Sequence, residues 1–128
     1  MGVIDYRDSR AIYEQIALHF ERLILRGVMQ EDEQMPSVRA LATELATNPN
    51  TVQKSYRRLE ADGFIYSVKG RGNYVCNAAE LVRRKREELV QRFGQLIRES
   101  KALELDPRAL FEEAGRKDAP SDGRKEVS

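Results

Sequence analysis

Cysteine, histidine and tryptophan are almost missing from this chain. Its 128 residues include one cysteine, Cys76, one histidine, His19, and no tryptophan. A lone thiol excludes an internal disulfide, and one thiol with one imidazole is too small a set of soft ligands for a zinc site. No apolar run approaches the roughly 20 residues that span a bilayer, and Met1-Gly2-Val3-Ile4-Asp5-Tyr6-Arg7 lacks the basic and apolar regions of an export signal. The expectation is a soluble, cytoplasmic protein with no metal, no cofactor and no membrane partner. No nucleophile–base pair or phosphate loop stands out, and Gly70-Arg71-Gly72 is too short and wrongly placed for a dinucleotide fingerprint. Catalytic residues are not expected, and His19, with no second ligand-type side chain nearby, is read as structural.

Hydrophobic residues make up 41% and charged residues 34%, enough apolar material for a real core in one domain of ordinary size with a short extension. The net charge of +1 becomes informative when divided along the chain. Residues 1–38 carry 4 basic and 7 acidic side chains, residues 39–76 carry 6 and 3, and residues 77–128 carry 12 and 11. A locally basic middle in a nearly neutral chain suggests a directed surface for a polyanion.

Ile12, Ile16, Phe20, Leu23, Ile24 and Gly27 recur every three or four positions, which predicts an amphipathic helix over 10–27 with Ser9 as its cap. The acidic stretch Gln30-Glu31-Asp32-Glu33-Gln34 reads as a loop. Ser37 then caps a second helix, about Val38 to Ala46, that buries Val38, Leu41, Ala42 and Leu45. Asn48 and Pro49 start a third helix that stops at Gly63, and two helices joined so closely form a helix-turn-helix. After Gly63 the period changes from 3.6 to 2. Phe64 to Val68 and Asn73 to Cys76 read as strands around the basic tip Lys69-Gly70-Arg71-Gly72. A further helix spans 79–103, with a polar gap at Arg83-Arg84-Lys85-Arg86. Asp106-Pro107 opens a last helix to about Arg116, with Leu105 and Leu110 spaced as a hydrophobic staple.

The fold class is therefore mainly α with a small β-hairpin. The expected organisation is a winged helix-turn-helix over residues 9–77, a helical segment over 78–116 and a disordered tail over 117–128. On the third helix Val52, Tyr56 and Leu59 share one face. Asn50, Lys54 and Arg57 lie opposite, flanked by Gln53 on one side and by Thr51 and Arg58 on the other. Short polar, amide and cationic groups are what a helix needs in a major groove, where Asn or Gln pairs with adenine and Lys with guanine. Arg39, in the first turn of the second helix, can grip a phosphate, and Lys69 and Arg71 sit on a wing tip whose glycines allow close approach to a groove. Three separate elements thus offer donors to one ligand, double-stranded DNA.

Five stretches then resemble a known family. Ile12-Tyr13-Glu14-Gln15-Ile16, Met35-Pro36-Ser37-Val38-Arg39-Ala40-Leu41-Ala42, Asn48-Pro49-Asn50-Thr51-Val52, the run from Tyr56 to Ile65 and Gly70-Arg71-Gly72-Asn73-Tyr74-Val75 look like the DNA-binding domain of GntR-type bacterial transcription regulators. The resemblance covers residues 9–77 in order and spacing. It implies that Arg39, Asn48, Asn50, Thr51, Gln53, Lys69 and Gly70 occupy DNA-contacting positions, with the third helix in the major groove and the wing in the adjacent minor groove. Val38 and Ala40 stand where many relatives carry an acidic residue, so the reciprocal cap of the second helix is missing. Gln53 and Pro49 replace arginines common in other branches, so those branches' operators do not carry over.

Only 51 residues follow Asn77, too few to enclose a ligand pocket of several hundred Å³. Two helices and a tail resemble the short YtrA-type subfamily, in which this segment dimerises. Leu89, Phe93, Leu96 and Ile97 form the matching stripe, and a homodimer predicts an inverted-repeat operator. The resemblance implies a repressor, and further suggests control of its own operon with ABC transporter genes. The alternative is a winged-helix protein-interaction module, whose binding depends little on salt, whereas DNA binding weakens steeply. The operator and any small-molecule effector stay open.

Overall fold

The computed structural model describes residues 2–8 and 10–119. Its elements are α1 (Ile12–Leu25), α2 (Val38–Leu45), α3 (Pro49–Ala61), β1 (Ile65–Val68), β2 (Gly72–Val75), α4 (Ala78–Ala102) and α5 (Pro107–Asp118). They fall into two units, Met1–Arg84 and Lys85–Ser128.

In the first unit α1 forms where the 3.6-residue stripe lies, burying Ile16, Phe20 and Ile24. Ser9 lies outside the described residues. The helix begins after Ala11, whose N–H donates to Glu14 Oε1 at 3.1 Å. At the other end Gly27 takes φ +76°, and the N–H groups of Gly27 and Val28 close onto the carbonyls of Ile24 and Leu23. Gln15 is buried although polar. Its Oε1 accepts from Asp5 N–H at 2.7 Å and its Nε2 donates to the carbonyls of Asp5 and Arg10, which pins the N-terminal arm and lets Val3 enter the core.

Ser37 caps α2 by accepting from Ala40 N–H at 3.0 Å, and the first turn carries no acidic partner. The helix ends one residue earlier than its periodicity suggests, because Ala46 turns left-handed at φ 53° so that Thr47 N–H can reach the Ala42 carbonyl. Asn48 then caps α3 through Asn50 N–H at 2.7 Å, with Pro49 in the first turn. Leu41 and Ala42 of α2 join Val52, Tyr56 and Leu59 of α3, Ile65 and Val75 of the hairpin and Leu81 of α4 in one hydrophobic core with α1.

Gly63 ends α3 at φ +88°, and a Cβ there would meet Leu81 Cδ1 at 3.1 Å. The hairpin follows at once, antiparallel, in the register Ile65↔Val75, Tyr66↔Tyr74, Ser67↔Asn73 and Val68↔Gly72. The acidic stretch is more than a loop. Val75 N–H donates to the Glu33 carbonyl at 2.9 Å and Met35 N–H to the Asn73 carbonyl at 2.8 Å, so Gln34 pairs with Tyr74 and β2 is flanked on both edges. A single bridge with no alternating apolar run left no sequence signal for this third segment.

Within the first unit Asn77 caps the start of α4 by accepting from Glu80 N–H at 2.8 Å. The second unit is built differently, and Asp106 caps α5 through Arg108 N–H at 3.0 Å. In place of a helix ending near Arg116, α5 runs on through Lys117 and Asp118, because nothing before residue 119 breaks it; the rest of the expected tail, 120–128, lies outside the described residues. Among the described residues beyond Arg84 only Ser100 is buried.

Ala46 is exposed and left-handed without being glycine. Ala46→Gly relieves that conformation and should stabilise the first unit by about 0.5–1 kcal/mol, raising its thermal midpoint by about 2–8 °C. A lower midpoint would contradict this account of the turn.

Candidate nucleic-acid interface

The outward face of α3 is set by what its inner face does. Val52 and Leu59 are fully buried. Ser55, between them, donates its hydroxyl to the Tyr13 carbonyl at 2.9 Å and is shared with its own helix at Thr51. Tyr56 packs edge-on to Phe20 and donates its phenol to the Pro36 carbonyl at 2.8 Å, and burial pushes its pKa up so that the donor stays protonated. One helix is thereby fastened to α1 and to the residue preceding the Ser37 cap.

Asn50, Gln53, Lys54 and Arg57 are consequently exposed on the far side, and Thr51 is half-buried. Lys54 Nζ lies 4.1 Å above the Tyr13 ring centre, a cation–π contact that draws its charge toward α1. Together Tyr13, Asn48, Asn50, Thr51 and Lys54 line a shallow depression of about 330 Å³ beside the N-termini of α1 and α3. Asn48 spends its Oδ1 on the cap, leaving its Nδ2 as the available donor. Tyr13 carries only a faint signal in the sequence, an aromatic residue off the apolar stripe of α1. Arg58 behaves differently from its neighbours. It sits 3.5 Å from Glu14 and 3.8 Å from Asp62, and so braces α3 to α1.

Arg39 is exposed in the first turn of α2, where the N–H groups of a helix start favour an anion. On the wing Lys69, Gly70 and Arg71 are all exposed, and Gly70 takes φ +79° as the third residue of a turn closed by Arg71 N–H on the Val68 carbonyl. The base of the wing is held by Ser67, whose hydroxyl lies 3.2 Å from Glu60 of α3 and 2.9 Å from Asn73. Tyr66 stacks on Tyr74 and donates to Asp32 at 2.7 Å, and that carboxylate holds the Tyr66 phenol up at about 12. All the candidate DNA-binding residues therefore lie on the first unit, on α2, α3, their connection and the wing tip. Among the described residues no group of three His, Cys, Asp or Glu is placed to hold a metal ion, and no helix is long and apolar enough to cross a membrane.

The stripe on the second unit is uncovered. Leu89 is 47% exposed, Phe93 51%, Leu96 57%, Ile97 41% and, on α5, Phe111 67%. Phe93, Leu96, Ile97, Leu110 and Phe111 line an apolar groove of about 400 Å³ between α4 and α5.

Known proteins resemble this chain in sequence and fold. Residues 12–75 match the family described as "Bacterial regulatory proteins, gntR family". The HTH-type transcriptional repressor YtrA of Bacillus subtilis (strain 168) is 44% identical over 96 residues, covering 73% of this chain and 74% of that protein. Among solved structures, a GntR family transcriptional regulator from Listeria monocytogenes is 28% identical at a TM-score of 0.57, covering 88% of this chain and 98% of its own. YtrA from Sulfolobus acidocaldarius, a GntR-family transcription factor, is 35% identical at a TM-score of 0.57, covering 70% and 92%.

Tyr56→Phe keeps the ring but leaves the Pro36 carbonyl without its donor. Urea unfolding should show a loss of about 1–2 kcal/mol. An unchanged midpoint would mean that the phenol does not hold α3 to the α2 cap.

Proposed function

This chain belongs to the gntR family of bacterial regulatory proteins, and from that premise we propose that it is a cytoplasmic transcriptional repressor that binds an inverted-repeat operator as a homodimer. In this reading α3 enters the major groove, where Asn50, Gln53 and Arg57 meet base edges. Arg39, Thr51, Lys54 and Asn48 hold phosphates, and Lys69-Gly70-Arg71 reaches the neighbouring minor groove. The observation that carries it is the two-faced character of α3: its apolar and hydroxyl side is buried on α1 and the cap of α2, and its amides and cations point outward.

The uncovered stripe of Leu89, Phe93, Leu96 and Ile97 supports pairing through the second unit, because contiguous apolar surface of this kind marks an interface. Pairing joins two first units, each with few phosphate contacts, into one binder whose second contact is made at high effective concentration. Its own operon, with genes for an ABC transporter, is the proposed target.

Arg39→Ala should weaken binding to every duplex alike, whereas Asn50→Ala or Gln53→Ala should change which sequences are selected from a random pool, by about 1–3 kcal/mol at the affected base pair. The assignment is wrong should all three variants behave identically. For the second unit, Phe93→Glu with Leu96→Glu in the full chain should give a monomer by sedimentation and weaken operator binding by at least about tenfold. Persistence of a dimer would place the interface elsewhere.

A further inference from the structure

The wing tip carries a tie that strand pairing does not require. The ladder ends at Val68↔Gly72, so residues 69–71 lie beyond it, held within the hairpin by the turn bond from Arg71 N–H to the Val68 carbonyl. A second hold comes from far away in sequence. Gln34 Nε2 donates to the Arg71 carbonyl oxygen at 3.0 Å, a bond between residues 37 apart.

Gln34 is placed for this by its own backbone. It is the residue of the acidic stretch that pairs with Tyr74, and Glu33 and Met35 on either side of it each bond to the backbone of β2, as does Asp32. The next residue of the tip, Gly72, takes φ +118°, and a Cβ there would stand 3.3 Å from the same Nε2. The amide thus lies close along the tip, where a side chain at Gly72 would press it aside by a few tenths of an ångström. The chemistry is also selective: the stretch reads Glu31-Asp32-Glu33 before Gln34, yet a carboxylate at this position would set acceptor against acceptor at the Arg71 carbonyl.

We propose that Gln34 is a positioning residue of the DNA-binding surface, fixing the wing tip at the height where Lys69 and Arg71 meet the duplex. It touches no DNA itself. The inference rests on the DNA-binding reading above and adds to it a residue outside the contact set. A two-stranded hairpin is marginal by itself, and a tip anchored on one side only would have to be ordered at the moment of binding.

The test is a cycle in the full chain. Gln34→Met keeps the length of the side chain without the donor, and Gln34→Glu reverses the donor. Each is made in the unaltered chain and in a Lys69→Ala/Arg71→Ala background, and affinity is measured across a salt series for the duplex that the unaltered chain selects from a random pool. Gln34→Met should weaken binding by about threefold to tenfold, the range of one net hydrogen bond, and flatten the salt dependence; Gln34→Glu should do more. In the background lacking the wing cations the Gln34→Met effect should fall below about twofold, because both changes act on one contact. Unaltered affinity for Gln34→Met, or an equal loss in both backgrounds, overturns the proposal. Failure of the underlying reading looks different: the unaltered chain selects no duplex, or loss of Lys69 and Arg71 changes nothing.

Discussion

The donation from the Tyr56 phenol to the Pro36 carbonyl, beside the Ser55 hydroxyl on the Tyr13 carbonyl, is the constraint on which the rest of the first unit depends. A helix of 13 residues is too short to be stable alone, so its rotation about its axis is decided by packing. Apolar burial by Val52 and Leu59 restricts that rotation without choosing a single angle, because dispersion and hydrophobic contacts are weakly directional. Two directional bonds in a buried setting choose it, and a wrong angle would leave buried polar groups unpaired. The same bond locates the residue before the α2 cap, and so the first turn that carries Arg39. The exposed polar side chains of two helices are thus placed by two buried hydroxyls.

Charge is handled with similar economy. Arg58 is drawn into contact with Glu14 and Asp62, and Lys54 onto the Tyr13 ring, while Arg39, Arg57, Lys69 and Arg71 remain exposed. Exposed ion pairs contribute little to stability, so the bracing by Arg58 matters for orientation more than for free energy. Tyr13 has two separate roles in this arrangement: its carbonyl accepts from α3 at a buried point, and its ring receives a cation at an exposed one.

The two units solve opposite problems. The first closes a core from α1 to Leu81 and spends its glycines at Gly27 and Gly63 on tight exits. The second has a capped α5, most of α4 and an apolar groove, yet among the described residues it buries no large apolar side chain. The apolar stripe that these two helices leave exposed is the observation that supports the homodimer in the proposed function.

Much of this was legible from the chain alone. Periodicity located α1, α2, α3, α4 and the hairpin, Asn48, Ser37 and Asp106 announced three helix starts, and the separation of Val52, Tyr56 and Leu59 from Asn50, Lys54 and Arg57 matched the buried and exposed sides of α3. Those features are local, because caps and stripes act within a few residues. What the sequence could not show was which distant groups meet. The pairing of residues 32–35 with β2, the reach of Gln34 to the Arg71 carbonyl, the diversion of Arg58 and Lys54 toward α1 and the buried Ser55 all join residues far apart in the chain. Such contacts depend on where whole elements come to rest, and a single hydrogen bond or cation–π contact leaves no periodic trace in composition. Patterning therefore determined which elements form and which way they face, while the packed fold alone decided which side chains are held and which are left free to bind.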